Sequence, residues 1–226
     1  VEEGGYAPLI DTRKTELVIF DLDGTLVDSR DDIAASLNAA LEAVGAPMRA
    51  DEDLHPHIGR PLHDMFADLL PADLHPRVED ACEFYRRHYF DNCSRRSSVY
   101  PGVVECLDAL ADVPLAIATT KRTFQAERVA EVMGLASHFD LVHGTDGIPY
   151  KPDPAVLFEV LERLDKPAVG SWMVGDTVHD LRAGRAAGMR TCAVTYGIGA
   201  PDELAAERPD LLLDTLADLP AELAAR

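Results

Sequence analysis

An α/β architecture, with a doubly wound parallel sheet and an all-helical segment inserted after its first strand, is what this 226-residue sequence predicts. Three observations lead there. From Tyr100-Pro101-Gly102 onward, short apolar runs alternate with stretches of helical period, which implies parallel strands covered by helices on both faces. One further run of the same kind, Leu17-Val18-Ile19-Phe20, stands far upstream. Between the two, residues 28–99 show helical period and no convincing strand over 30–98. The expected division is therefore a core of residues 1–27 and 100–226 and a helical segment of 28–99.

Taken in order, residues 1 to about 15 show no period and read as a lead-in. The run at 17–20 has the continuous apolar character of a strand buried on both faces. Ser29 to Gly45 predicts a helix, with Ile33, Leu37, Leu41 and Val44 on one face, Ser29 and Asp32 forming a capping box, and Gly45 as the stop. Helical period recurs over Leu62–Leu70 and at Val78, Cys82, Tyr85 and Tyr89. Tyr85 is expected in the core, with Arg86 and Arg87 solvated. Beyond residue 100 the expected strands are Leu115–Ala118, Leu141–Val142, Trp172–Val174, Thr191–Val194 and Leu211–Leu213. Helices are expected over Phe124–Met133, Ala155–Leu164 and Asp180–Ala187. Together these make an open, Rossmann-like sheet.

Composition limits the function classes. A formal charge of −19 argues against a nucleic-acid partner, which needs a basic surface. No apolar run approaches the ~18 residues of a membrane span. The acidic start, Val1-Glu2-Glu3, lacks the form of a secretory signal. Cys82, Cys93, Cys106 and Cys192 show no CxxC spacing and are expected as reduced thiols of a cytoplasmic protein. Monomer and homodimer are both compatible with this composition.

The chemistry concentrates in Asp21-Leu22-Asp23-Gly24-Thr25-Leu26-Val27-Asp28-Ser29, directly after the first apolar run. Carboxylates two residues apart on an extended segment point to the same side. Gly24 then lets the chain turn and bring backbone N–H groups close to a ligand. A nucleophile beside an acid–base group, with a cation between them, suits that spacing. This string resembles the first motif, DxDGT, of the haloacid dehalogenase-like superfamily. The later motifs follow in order: Thr119 at the end of Leu115–Ala118, with Thr120 and Lys121 after it; Lys151-Pro152-Asp153-Pro154, similar to the KPxP form; and Gly175-Asp176 with Asp180, similar to GDxxxD. A single Thr after a strand or a single Lys on a surface is ordinarily structural. The weight lies in all four occurring in order, each where a strand ends or a helix begins. Many relatives carry Asn where Thr120 stands, which is a departure at that contact.

The resemblance implies a phosphohydrolase. Asp21 would be the nucleophile and Asp23 the general acid and base. Thr119 and Lys151 would bind phosphoryl oxygens, and Gly24, Thr25, Thr120 and Lys121 would contact substrate. Mg2+ would be held by Asp21, Asp23 through its carbonyl, and Asp176, with Asp180 as a further ligand or supporting partner. Backbone N–H groups near Asp23, Gly24 and Thr120 would complete the phosphate cradle. The helical insert resembles the cap of the branch that includes phosphoglycolate phosphatases, and Arg60, in His57-Ile58-Gly59-Arg60-Pro61-Leu62, would face substrate. His55 and His57 read as a polar loop, since no third ligand accompanies them, and His179 as either a loop residue or a neighbour that tunes the fourth motif.

Departures from other branches narrow the reaction. Asp23 is absent from the dehalogenases. Ser29–Val99 contains no lysine for the Schiff base of the phosphonate-cleaving branch, and residues 30–54 contain no histidine of the phosphoglucomutase kind. Hydrolysis of a small phosphomonoester is expected, phosphoglycolate first. Pyrophosphate, nucleotide or sugar-phosphate hydrolysis follow, and a sugar phosphomutase or a non-catalytic binding module are disfavoured. A receiver domain is excluded by length and motif order, and a P-loop or dinucleotide fold by the lack of its glycine signature.

Overall fold

Six strands form one parallel sheet: β1 (Leu17–Phe20), β4 (Leu115–Ala118), β5 (Leu141–His143), β6 (Ser171–Gly175), β7 (Arg190–Val194) and β8 (Leu211–Leu213), in the order β5-β4-β1-β6-β7-β8. The computed structural model describes residues 15–225, so the lead-in lies, up to residue 14, outside the described residues. Alternation across β1 explains its unbroken apolar sequence. Val18 and Phe20 join the core on one face, Leu17 and Ile19 the core on the other, and all four are fully buried. Burial of such side chains contributes about 1.5–3 kcal/mol each. Helices α7 (Ala155–Arg163) and α8 (Val178–Ala186) cover one face, through Val156, Leu157, Val160 and Ala183. Helices α5 (Val103–Ala109), α6 (Thr123–Val132) and α10 (Leu219–Ala224) cover the other, and α9 (Pro201–Ala206) packs Leu204 against Leu181 and Ala193. Sequence periodicity passes over α5, α9 and α10, each no more than seven residues long.

From β1 the chain moves to β4 and the edge strand β5, then returns past β1 to β6, β7 and β8. That reversal opens a crevice at the carboxyl ends of β1, β4 and β6, where sheets of this kind bind ligands.

Between β1 and β4 run α1 (Arg30–Ala43), α2 (Asp51–Leu54), α3 (Leu62–Leu69) and α4 (Val78–Asn92). Helix α4 lies along α1 and α3. The rings of Tyr85 and Tyr89 stack 5.6 Å apart, with Phe66 edge-on to Tyr85 at 6.2 Å.

Two local expectations are corrected. The insert is not free of strand: β2 (Val27–Asp28) and β3 (Ser98–Val99) pair antiparallel where the chain enters and leaves it. Two residues per strand carry no readable period, and the pairing joins residues about 70 positions apart. Nor do Ser29 and Asp32 form a capping box. Asp32 instead accepts from the Arg96 and Ser97 amides at 2.9 and 2.8 Å and from Ser97 Oγ at 2.7 Å. Two amides and a hydroxyl of the returning chain converge on that buried carboxylate and take it from the helix end. Helix α1 does stop at Gly45, whose φ of +82° suits the left-handed position after a helix.

All four cysteines are buried. Among the described residues no helix is long and apolar enough to cross a membrane.

Candidate active site

Asp21 leaves the end of β1, Asp176 the end of β6, and Asp180 occupies the first turn of α8. Oxygens of the three carboxylates lie within 4.8 Å of one another. Lys151, four residues before α7, reaches into this group from the side. Its Nζ donates to Asp21 Oδ1 at 2.7 Å, to Asp180 Oδ1 at 2.5 Å and to the Ala118 carbonyl at 3.0 Å. Residues 130 positions apart are thus joined by a bond with almost no solvent access.

Each carboxylate has its own holder. Asp180 Oδ2 accepts from the Thr177 amide and hydroxyl while the Asp180 amide donates back to Thr177, a capping box that opens α8. The Thr177–Asp180 spacing carries that signal in the sequence. Asp176 Oδ1 accepts from Thr25 Oγ1 at 2.9 Å and Oδ2 from the Ile198 amide at 2.7 Å. Ile198 has no motif to announce it. Gly24 makes the close approach possible. A Cβ there would stand 2.2 Å from Asp176 Oδ2, and its φ of +86° already disfavours a side chain.

The Asp21 carboxyl is pushed up to about 7, by burial first, against the pull of Lys151 and with added repulsion from Asp180 and Asp23. Asp176 rises to about 8, again by burial first, then by Asp180 and Asp21. Burial acts to lower Lys151, but Asp180 and Asp21 outweigh it and hold its pKa above the ordinary lysine value. Three ionised carboxylates facing one ammonium leave a deficit that a divalent cation would balance, and an all-oxygen donor set suits a hard ion.

This arrangement fixes a pH dependence. A carboxyl whose folded pKa is raised stabilises the fold fully below its unfolded pKa of about 4. That contribution is lost as pH rises, completely so above the folded values of about 7 and 8. The metal-free protein is therefore expected to lose stability as pH rises from 5 to 8. Thermal melts should show a falling Tm that flattens in Asp176→Asn. Added divalent cation should raise Tm more at pH 8 than at pH 6, since binding needs the ionised groups.

The remaining expected site residues divide. Asp23 is buried, with Oδ1 accepting from Ser29 Oγ and Oδ2 from Lys121 Nζ, both at 2.5 Å. Ser29, the expected helix cap, is thus turned toward the site. Thr25 was expected against substrate, but it is fully buried and its hydroxyl goes to Asp176. The Gly24 amide, expected in the cradle, donates to the Val27 carbonyl at 2.9 Å, because the chain closes a tight turn there. Thr119 is buried, and its Oγ1 accepts from the Lys121 amide at 3.3 Å. Thr120 faces two adjoining cavities. The inner one is lined by Asp21, Asp23, Gly59, Thr120, Lys151, Thr177, His179 and Asp180. His179 therefore belongs to the site, and its buried Nδ1 has no hydrogen-bond partner among the described residues.

The outer cavity, of about 60 Å³, shares Asp23, Gly59 and Thr120 with the inner one. Its wall from the helical insert carries Ile33, Ile58, Arg60, Leu62, Met65, Tyr85 and Arg86. Its wall from the sheet side carries Lys121, Arg122, Gln125 and Tyr150. Arg60 lies on it, braced by Asp68 at 2.8 Å and by His57 Nδ1 at 3.0 Å. Arg86, expected in solvent, is partly buried on the cavity wall and paired with Glu79 at 3.1 Å. Four cations and a single carboxylate line this space, on a chain of net charge −19. The overall charge thus says nothing against an anionic ligand, because basic residues distant in sequence are gathered at one point.

A doubly wound parallel sheet with this lysine-bridged acidic cluster at its carboxyl edge defines a hydrolase of the phosphatase class. The chain belongs to the haloacid dehalogenase-like hydrolase family, whose model matches residues 18–194. It is 38% identical to the plasmid-borne phosphoglycolate phosphatase of Cupriavidus necator over 212 residues, covering 91% of this chain and 92% of that one. It is 37% identical to "Probable phosphatase IndB" of Dickeya dadantii over 209 residues, covering 90% and 91%. Among solved structures, that of a predicted phosphoglycolate phosphatase from Haemophilus somnus superposes with a TM-score of 0.83 at 27% identity, over 94% of this chain and 99% of that one.

Proposed function

We propose that the protein hydrolyses a small, anionic phosphomonoester with Mg2+ through a phosphorylated Asp21, phosphoglycolate being the first candidate. The observation that carries this reading is the buried bond between Lys151 and Asp21, with Asp176 and Asp180 beside it. In the first half-reaction an Asp21 oxygen forms a bond to phosphorus and the ester oxygen leaves, taking its proton from Asp23. In the second, Asp23 takes a proton from water, whose oxygen bonds to phosphorus and frees the Asp21 carboxylate and inorganic phosphate. Lys151 holds positive charge against the phosphoryl oxygens throughout, and Thr119 and Thr120 place them. Asp21, the Asp23 carbonyl and Asp176, with Asp180 supporting, would hold Mg2+. When bound, the ion supplies charge neutralisation to the transferring group.

Residues 28–99 act in this reading as a cap over a core of 1–27 and 100–226, keeping bulk water from the phosphorylated carboxylate. Arg60 and its cationic neighbours would receive the second anionic group of the substrate. A space of about 60 Å³ favours a ligand of few heavy atoms, since pockets for drug-sized ligands run to roughly 300–1,000 Å³.

The test is turnover of para-nitrophenyl phosphate, followed by a panel of phosphoglycolate, pyrophosphate, nucleoside monophosphates and hexose phosphates. Turnover is expected to vanish on chelation and return with Mg2+, and kcat/KM to be highest for phosphoglycolate. No hydrolysis of any member by the Mg2+-loaded protein would end the proposal. A clear preference for pyrophosphate would replace the substrate while keeping the mechanism.

A further inference from the structure

We propose that Lys121 is a positioning residue that ties the acid–base carboxylate of Asp23 to helix α4, so that the placement of the helical insert is felt at the proton-transfer step. This rests on the reading of Asp23 as general acid given above. Lys121 stands in the loop after β4, and its ammonium makes two contacts at once. It donates to Asp23 Oδ2 at 2.5 Å, and it lies 4.6 Å from the centre of the Tyr89 ring. Both side chains of the ion pair are about nine-tenths buried. Tyr89 is 1% exposed, and its hydroxyl has no hydrogen-bond partner among the described residues, so what it presents to Lys121 is its ring face. Tyr85, one turn earlier and lining the cavity, stacks on that ring and fixes its plane.

The geometry is specific to positioning. With Ser29 on Oδ1 and Lys121 on Oδ2, the Asp23 carboxylate plane is held from both ends. Ser29 belongs to the chain that enters the insert. Lys121 belongs to the sheet side, yet leans on a ring carried by the insert. A displaced α4 withdraws the face that holds the ammonium, and Asp23 then loses one of its two anchors. A rival role for Lys121, direct attraction of the substrate's anionic group, predicts a different kinetic signature.

The experiment compares an alkyl phosphate, whose alkoxide must be protonated as it leaves, with dinitrophenyl phosphate, whose leaving group departs without a proton. Lys121→Met and Tyr89→Leu are each expected to lower kcat/KM, which reads only the steps up to departure of the alcohol, about 10- to 100-fold for the alkyl ester, while kcat/KM for the dinitrophenyl ester changes less than about threefold. Lys121→Arg and Tyr89→Phe, which keep the cation and the ring face, should recover most of the alkyl rate. Equal losses of kcat/KM on both esters would overturn the proposal. Asp23→Asn is the control. A graded response there with a flat one in Lys121→Met removes the role of Lys121 alone. A flat response in Asp23→Asn removes the acid–base reading and this proposal with it. Should Tyr89→Leu fail to fold, Lys121→Met decides.

Discussion

Asp21→Asn is expected to lower kcat for every phosphomonoester by about 10⁴-fold or more while leaving the fold intact. The substitution keeps the shape of the side chain and removes the oxygen that would bond to phosphorus. Lys151 remains anchored by Asp180 and the Ala118 carbonyl, so the pocket does not collapse. One of three crowded carboxylates becomes neutral, and the burial that pushes its pKa upward no longer opposes folding above neutrality. The metal-free variant should therefore melt no lower than the parent at pH 8. Loss of activity without loss of stability is the mark of a functional group, and steady-state rates beside thermal melts read both. Mass spectrometry of acid-quenched reactions should show one added phosphoryl group on the parent and none on the variant. Full turnover in Asp21→Asn would remove the nucleophile assigned here.

Lys151→Met should act on activity and stability together. Its ammonium is the one cation bonded to Asp21 and Asp180 among the described residues, and its side chain is only 2% exposed. Removing one partner of a buried pair leaves uncompensated charge, at a cost of about 3–5 kcal/mol. Asp180 keeps its bonds to Thr177, so the loss falls mainly on Asp21 and on the mutual repulsion of the three carboxylates. Loss of a preorganised charge at the phosphoryl site should lower kcat by a further factor on the order of 10²–10³. Melts at pH 6 and pH 8 separate the two effects. Protonation of Asp21 and Asp176 at the lower pH relieves the repulsion, so the Tm deficit should shrink there while the kcat deficit persists. Near-parental turnover would show that the ammonium does not face the reacting group.

Legibility in the sequence followed local physics. β1, β4 and β6 are buried on both faces, and that burial writes a continuous apolar run into the chain. Helices α1, α3, α4, α6, α7 and α8 were legible because one-sided burial imposes a helical period on stretches of eight residues or more. The strand pair β2–β3 was not, since two residues show no period. The capping box is absent at Ser29 and present at Thr177, although the spacing is the same. Nothing within either segment distinguishes them. At α1 both side chains serve partners outside the helix, Asp23 six residues back for one and the distant Arg96–Ser97 amides for the other.

What the sequence determined by itself is the set of strand ends and the kinds of side chain that stand on them, because both depend on neighbours a few residues away. Only the tertiary structure decided which oxygen each donor serves: Lys151 on Asp21, Thr25 on Asp176, Lys121 on Asp23, across separations of 98 to 151 residues. It also decided that an acidic chain gathers Arg60, Arg86, Lys121 and Arg122 around one small cavity. Charge counted along a chain is an average, whereas a field is set by distance, and distances between remote residues exist only once the sheet and its helices have closed around them.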